Sequence, residues 1–419
     1  MTTSILKNIT WLGVGNAVVK PIWFVFITAV CVQILGVGEY GVMMASLALV
    51  GIVGSLINFG TSQFSIREVA RDRDRAATFF SNFFPFRVAT SVVGLALVLL
   101  IGFGLGHRQG DLLALAFAGC YGITLNLTEY CRTFYRAFEL LRYEAVSIIL
   151  EKILVVSAGT ALLLMQPRAA WVLGGMALGM MLTLLGNVAW LTHRLTTFRR
   201  DLIDLAFFRS ALPQALPLGL ASIFVMLYFR TDSVMLEAIQ GELVAGQYGL
   251  AFRILEALIL LPAILVAAFL PRLSALFGDQ QKDTFRRLMR RGIGSLAVLS
   301  TVITLGLALT APLVITLIDP NPATAPAISA LQLLIWTFPF ASVNYLLSTA
   351  LTATDDQKAL AWMLGAAAVF NIALNSMVIP LYSLYGACAA TLLTQAGLTG
   401  AMSVRYLRHG THTQPRVDA

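Results

Sequence analysis

The sequence predicts an all-α polytopic membrane protein of about twelve spans in two six-helix lobes, with both termini cytoplasmic. Three observations carry that expectation. Hydrophobic residues fill 58% of the 419 positions and charged residues 12%, more apolar surface than a soluble domain can bury. The apolar residues fall in runs of about 18–25, the length that crosses about 30 Å of hydrocarbon. Lysine and arginine are distributed among the connections as membrane orientation demands.

The runs lie at 10–34, 42–65, 81–105, 111–131, 144–165, 170–193, 213–237, 247–270, 292–318, 326–352, 359–379 and 384–404. The first contains Lys20, Pro21 and Gln33 and lacks a small-residue cleavage site, so it reads as a retained span and not a signal peptide. The third holds Arg87, the fifth Glu151 and Lys152. The sixth carries Gly175 and Gly179, a spacing that suits close helix packing. The seventh holds Pro217, Arg230 and Asp232, and the eighth Arg253, Glu256 and Pro262. Pro339 is expected to kink the tenth, because proline removes a helical hydrogen bond.

Connections after even-numbered spans, with Lys7 and the C-terminal tail, hold 22 of the 29 basic residues. Those after odd-numbered spans hold two, Arg108 and Arg168. This split places both termini in the cytoplasm. No connection is long enough for a soluble domain. The expected organisation is an N-terminal lobe at 1–194, a cytoplasmic linker at 195–212, a C-terminal lobe at 213–405 and a tail at 406–419. Within the linker, Phe198–Arg209 mixes charges with an apolar face and reads either as an interfacial amphipathic helix or as a plain connection.

Several chemistries are excluded. Cys31, Cys120, Cys131 and Cys388 lack paired spacing, and His107, His193, His409 and His412 lie at span ends or in the tail, so no metal site or disulfide framework is expected. There is no phosphate-binding G-x-x-x-x-G-K-[ST] loop, and no cofactor is expected. The run Arg67–Arg75 contains Glu68, Asp72 and Asp74 and reads as a charged loop, not a nucleic-acid patch. The outer connections are too short for sugar chemistry, so no catalytic residues are assigned and the chain is not expected to be an enzyme.

The remaining five basic residues, Lys20, Arg87, Lys152, Arg230 and Arg253, lie inside the spans. A charge at the bilayer centre costs about 2.5–3.5 kcal/mol even on lenient scales. Five of one sign point to a polar cavity for something negative. Asp232, Glu256 and Glu151 are the acidic candidates for a coupling proton or sodium ion. Other readings compete at each position. Arg253 and Glu256 are i and i+3 and suited to neutralise each other. Glu151 and Lys152 are adjacent and expected to point apart. Arg87 is near the start of its span and within reach of the interface by snorkelling.

A repeat relates the halves. Tyr40 and Tyr248 each lie in or beside the first outer turn of their half, and Lys20 matches Arg230 at a similar offset. The segment Leu35–Arg75 then gives an L-G-x-x-x-Y-G turn (Leu35, Gly36, Tyr40, Gly41), a span ending at Phe59-Gly60-Thr61, and Arg67-Glu68, Ala70 and Arg71. The second half adds Thr231–Leu236, Gly246–Arg253, Leu270–Ser274, and a hairpin with Asn371, Asn375, Pro380, Tyr385 and Gly386-Ala387. Taken together these resemble the polysaccharide-biosynthesis, Wzx-type flippases of the MATE-like multidrug/oligosaccharidyl-lipid/polysaccharide exporter superfamily.

The resemblance implies that an undecaprenyl-diphosphate-linked oligosaccharide is flipped from the cytoplasmic to the outer leaflet of a bacterial inner membrane, for O-antigen, capsule or exopolysaccharide synthesis. It also implies alternating access, with polymerase and ligase partners in the same pathway. Cations suit a diphosphate, since charge-assisted bonds to phosphate are strong where water is scarce. Lys20, Lys152 and Arg87 are placed to receive the diphosphate, and Arg230 and Arg253 to hand it outward. A cation-coupled multidrug exporter is the alternative, although its substrates favour an acidic cavity. A membrane polymerase or ligase is a third.

Overall fold

The computed structural model describes residues 19–107, 109–267, 269–279, 281–354 and 356–412. Residues 10–18 of the first predicted span, Lys7, Arg108 and the tail beyond 412 lie outside them. Among the described residues the chain is helical, with no strand. Contacts divide it into two compact units, residues 1–226 and 227–419. The division falls inside a long helix, beyond the expected linker.

Unit 1 begins with α1 (Val19–Leu35), which contains a π turn at Phe26–Val30. Gly36, with φ 74°, separates it from α2 (Val37–Asn58). A positive φ costs little only without a Cβ. The second predicted span ends early. Phe59 (φ 46°) and Gly60 (φ 73°) are both left-handed and break the helix, so 61–65 belong to α3 (Thr61–Arg71). Helix α3 buries Phe64 and Val69 and exposes Arg67 and Arg71. Then follow α4 (Ala76–Gly104), α5 (Gln109–Ala137), α6 (Leu141–Met165) and α7 (Ala169–Arg194).

Two contacts set the packing of unit 1. A Cβ on Gly175 would lie 2.3 Å from the Ala158 carbonyl oxygen, and one on Gly179 2.5 Å from that of Leu154, so the glycines bring α7 backbone-close to α6. The Glu39 carboxylate accepts the Ala169 N–H at 2.7 Å, capping the start of α7 where the helix dipole favours an anion.

Phe198–Arg209 is not one amphipathic helix. It makes a 3₁₀ turn at Arg200–Leu202 and then enters α8 (Leu205–Gln240). Its free backbone groups find partners on α4: Ser81 Oγ accepts from Arg199 N at 2.9 Å, while Asn82 donates to Leu202 O at 2.8 Å and accepts from Asp204 N at 2.9 Å. Phe207 packs edge-on against Phe79 and Phe83, within a core shared with Tyr130 and Phe134. These contacts hold the first part of α8 in unit 1.

Unit 2 contains the end of α8, α9 (Glu242–Ala267), α10 (Phe269–Gly278), α11 (Lys282–Ile318), α12 (Ala325–Leu334), α13 (Thr337–Ala353) and α14 (Gln357–His412). Helices α12 and α13 meet at 46°. The break lies just before Pro339, which takes a first-turn position of α13 where a missing N–H is harmless. Helix α14 spans two predicted runs and reverses at Ser383, whose φ of 52° and ψ of −133° are not helical. Asn371 reaches Thr394 at 3.4 Å although they are 23 residues apart. A straight helix would separate them by about 35 Å.

Among the described residues, eight helices are long and apolar enough to cross a membrane, or nine if the bent α12–α13 pair counts as one. The architecture is that of a multi-pass, all-helical membrane protein.

Candidate functional site

Arg87 is 1% exposed and does not snorkel. Helix α4 starts at Ala76, earlier than the apolar run suggests, which places Arg87 well inside it. The guanidinium is saturated by neutral oxygens. Nε and Nη2 donate to Thr61 Oγ1 at 3.0 and 2.6 Å, Nη2 to Ser62 Oγ at 2.8 Å and to Asn58 Oδ1, and Nη1 to Asn126 Oδ1 at 3.0 Å. Its Cζ stands 4.4 Å from the centroid of the Tyr130 ring. The break at Phe59–Gly60 makes this cradle possible, because it turns Asn58, Thr61 and Ser62 towards one group. Arg87, Asn58, Asn126 and Glu129 line a cavity of about 360 Å³, walled in part by Gly51, Gly54 and Gly122.

Beside it runs a chain of alternating charge across α5 and α6. Lys152 Nζ bonds Glu151 at 2.5 Å, and Glu151 pairs with Arg132 at 2.7 Å. Arg132 pairs with Glu129 at 2.7 Å, Arg136 with Glu129 at 3.3 Å, and Arg136 with Glu144 at 2.6 Å. Lys152 Nζ also lies 4.2 Å from the centroid of the Trp23 ring. The expectation that Glu151 and Lys152 point apart is therefore incorrect, because four methylenes let the ammonium curl back to its neighbour. Arg132 and Arg136 are also not loop residues. Helix α5 continues to Ala137, and Arg132 is 2% exposed. Nothing local to the sequence marks Arg132 as buried. Its partner Glu151 lies on the next helix.

Lys20 is partly buried on α1 and forms no ion pair among the described residues. In unit 2, Arg230 and Arg253 are brought together by one carboxylate. Glu256 Oε1 takes Arg230 at 2.5 Å and Oε2 takes Arg253 at 2.6 Å. The i,i+3 pairing of Arg253 and Glu256 is as expected, but it is shared, so the triad keeps a net positive charge.

Asp232 is fully buried, and its partners are neutral. Tyr248 donates to Oδ2 at 2.8 Å, Asn375 to Oδ1 at 2.5 Å, and Thr391 also donates to Oδ2. Among the described residues no basic group pairs with it. Asn371 Oδ1 accepts from Asn375 at 3.0 Å, and Asn375 Oδ1 is buried with no hydrogen-bond donor among the described residues. Clustered oxygens with one acceptor left over suit a proton or a small hard cation, which takes oxygen ligands. The reversal at Ser383 places Asn375 and Thr391 on facing stretches of α14. Asn371 and Asn375, one helical turn apart in an apolar run, are the sequence signal for this shell. No group of three or more histidine, cysteine or acidic side chains suited to a metal occurs among the described residues.

A family model described as "Polysaccharide biosynthesis protein" matches residues 5–277, and one described as "MatE" matches residues 217–377. A relative from Haloferax volcanii, "Probable flippase AglR", is 28% identical over 198 residues, covering 46% of this chain and 41% of that protein. Among solved structures, an inward-facing multidrug resistance MATE family transporter aligns with TM-score 0.76 at 14% identity, covering 96% of this chain and 94% of its own. The lipid II flippase MurJ in an inward closed conformation aligns with TM-score 0.73 at 14% identity, covering 94% and 87%. At such identity these structures establish the fold alone.

Proposed function

The chain belongs to the polysaccharide biosynthesis protein family, membrane transporters and not enzymes, and on that premise we propose that it flips a lipid-linked oligosaccharide across a bacterial inner membrane. The lipid is an undecaprenyl diphosphate and the direction is cytoplasm to outer leaflet, by alternating access. The product feeds a polymerase and a ligase that build O-antigen, capsule or exopolysaccharide. The proposed topology has twelve spans with both termini cytoplasmic, supported by the 22-to-2 split of basic residues among the connections.

The observation that carries the reading is the Arg230–Glu256–Arg253 triad, in which two guanidiniums share one carboxylate within apolar helices. A site that keeps excess positive charge at that cost is suited to a diphosphate and hostile to an organic cation. Lys20 supplies a further cation. Arg87 and Lys152, cations of unit 1 in this reading, are held by fixed partners and are less free to grip phosphate. Asp232 takes the coupling ion, a proton or sodium, with Asn371, Asn375 and Thr391 as its oxygen shell. Glu256 and Glu151 are held between cations and are weaker candidates for that role.

The test is flipping of a fluorescent polyprenyl-diphosphate oligosaccharide in proteoliposomes. Wild type is expected to flip it, Lys20→Ala and Arg230→Ala to fail while remaining folded, and Asp232→Asn to lose dependence on a sodium or proton gradient. Export of organic cations with no glycolipid flipping places the chain with drug exporters and ends this reading.

A further inference from the structure

We propose that the first turns of α11 are a docking surface for acidic phospholipid headgroups. The helix opens with Lys282, Arg286, Arg287, Arg290 and Arg291 among its first ten residues. The positive end of the helix dipole disfavours cations there. Arg286 and Arg290, like Arg287 and Arg291, stand i,i+4, a spacing at which like charges repel. All four arginines are exposed. Among the described residues no carboxylate pairs with Arg287, Arg290 or Arg291, and Arg287 Nε reaches only the Asp283 backbone carbonyl at 3.3 Å. The cluster therefore works against its own helix, and Arg287, Arg290 and Arg291 are not neutralised by a carboxylate among the described residues, which favours an anion supplied from outside.

The helix face identifies the source. Val298, Val302, Leu305, Leu309 and Leu313 form an exposed apolar stripe along α11, with Leu309 82% exposed. Eighteen residues are five full turns at 3.6 per turn, so Arg287 stands directly in line with Leu305, and Arg291 with Leu309. The stripe that faces lipid tails thus runs into guanidiniums at its end. The helix is 37 residues, about 55 Å at 1.5 Å per residue, against about 30 Å of hydrocarbon. This leaves the basic end at headgroup depth.

The surface is also shaped and anchored. Asp283, Arg286, Arg287 and Arg290 line a concavity of about 460 Å³. Asp283 is the acid in that lining, so three guanidiniums outweigh it. On the opposite side Phe285 and Met289 are buried, and Phe285 stacks on Tyr406 of α14 at 6.5 Å and 25°. The arginines are thus presented from a fixed base. A phospholipid phosphate suits them, since guanidinium binds phosphate bidentately and juxtamembrane cations favour anionic leaflets.

The full chain in a neutral detergent is titrated with dioctanoyl phosphatidylglycerol or phosphatidylcholine, and bound lipid is counted by native mass spectrometry. Wild type is expected to retain the glycerol lipid at least fivefold over the choline lipid. R287Q/R290Q/R291Q is expected to fall to near parity, and R287K/R290K/R291K to keep most of the preference. High salt should erase the wild-type preference, a readout that requires no variant to fold. Wild type without a preference, a preference insensitive to salt, or a glutamine variant within twofold of wild type overturns the proposal. Competition by millimolar inorganic phosphate as strong as that by the glycerol lipid also overturns it, since the surface would then be a site for free phosphate.

Discussion

Replacing Glu151 with leucine tests the charge chain of unit 1. Glu151 and Arg132 are each 2% exposed and 2.7 Å apart. Removing one partner of such a pair strands the other and costs about 3–5 kcal/mol. Arg132 retains Glu129 at 2.7 Å and Ser147 at 2.9 Å, so the lower end, about 3 kcal/mol, is expected for Glu151→Leu. A unit of this size loses about 2–4 °C per kcal/mol, a fall of about 6–12 °C in the unfolding midpoint. Arg132→Met should cost at least as much, because it leaves Glu151 with Lys152 alone and Glu129 with Arg136. The double variant Arg132→Met/Glu151→Leu removes both buried charges and should lie closer to wild type than either single variant, since replacing a whole buried pair by apolar groups is often nearly neutral. The assay is the thermal unfolding midpoint of purified protein in one detergent at one scan rate. A Glu151→Leu midpoint within 2 °C of wild type, or a double variant falling by the sum of the singles, would show that the Arg132–Glu151 pair is not coupled in this way.

Arg87→Lys should not behave as a conservative change, because three donors on a flexible stem cannot serve Thr61, Ser62, Asn58 and Asn126 together. A loss of at least about 2 kcal/mol is expected, read as a midpoint fall of about 4–8 °C. Gly175→Leu drives a side chain into the Ala158 backbone and should abolish the monodisperse peak in size-exclusion chromatography, whereas Gly186→Ala, with open space beside it, should leave that peak unchanged. Glu39→Ala removes the cap on α7 and should lower the midpoint by about 2–4 °C, corresponding to about 1 kcal/mol.

The membrane helices were legible in the sequence because length and apolarity are local properties. Each predicted run, from residue 19 onward, lies largely on helix. The break at Phe59–Gly60 shows in the motif, which ends the span at Phe59-Gly60-Thr61, but not in the apolar run, which hydropathy alone carries on to residue 65. By sequence Arg132 falls in a connection, for a related reason. Charge alternation assigns basic residues near a span end to a connection, and burial depends on Glu151 lying across from it. The shell of Asp232 comes from Asn375 and Thr391, 143 and 159 residues away. The chemical types of the candidate site residues were therefore readable in advance, but their pairing was not.

The chain from Lys152 to Glu144 has an electrical consequence. It comprises three cations, Lys152, Arg132 and Arg136, and three anions, Glu151, Glu129 and Glu144. Moving one unbalanced charge through a membrane potential takes about 2.3 kcal/mol per 100 mV. A displacement of this chain as a body carries no net charge, so the potential does no net work on it. Helices α5 and α6 can then change depth together in an energised membrane at the same electrical cost as in a depolarised one.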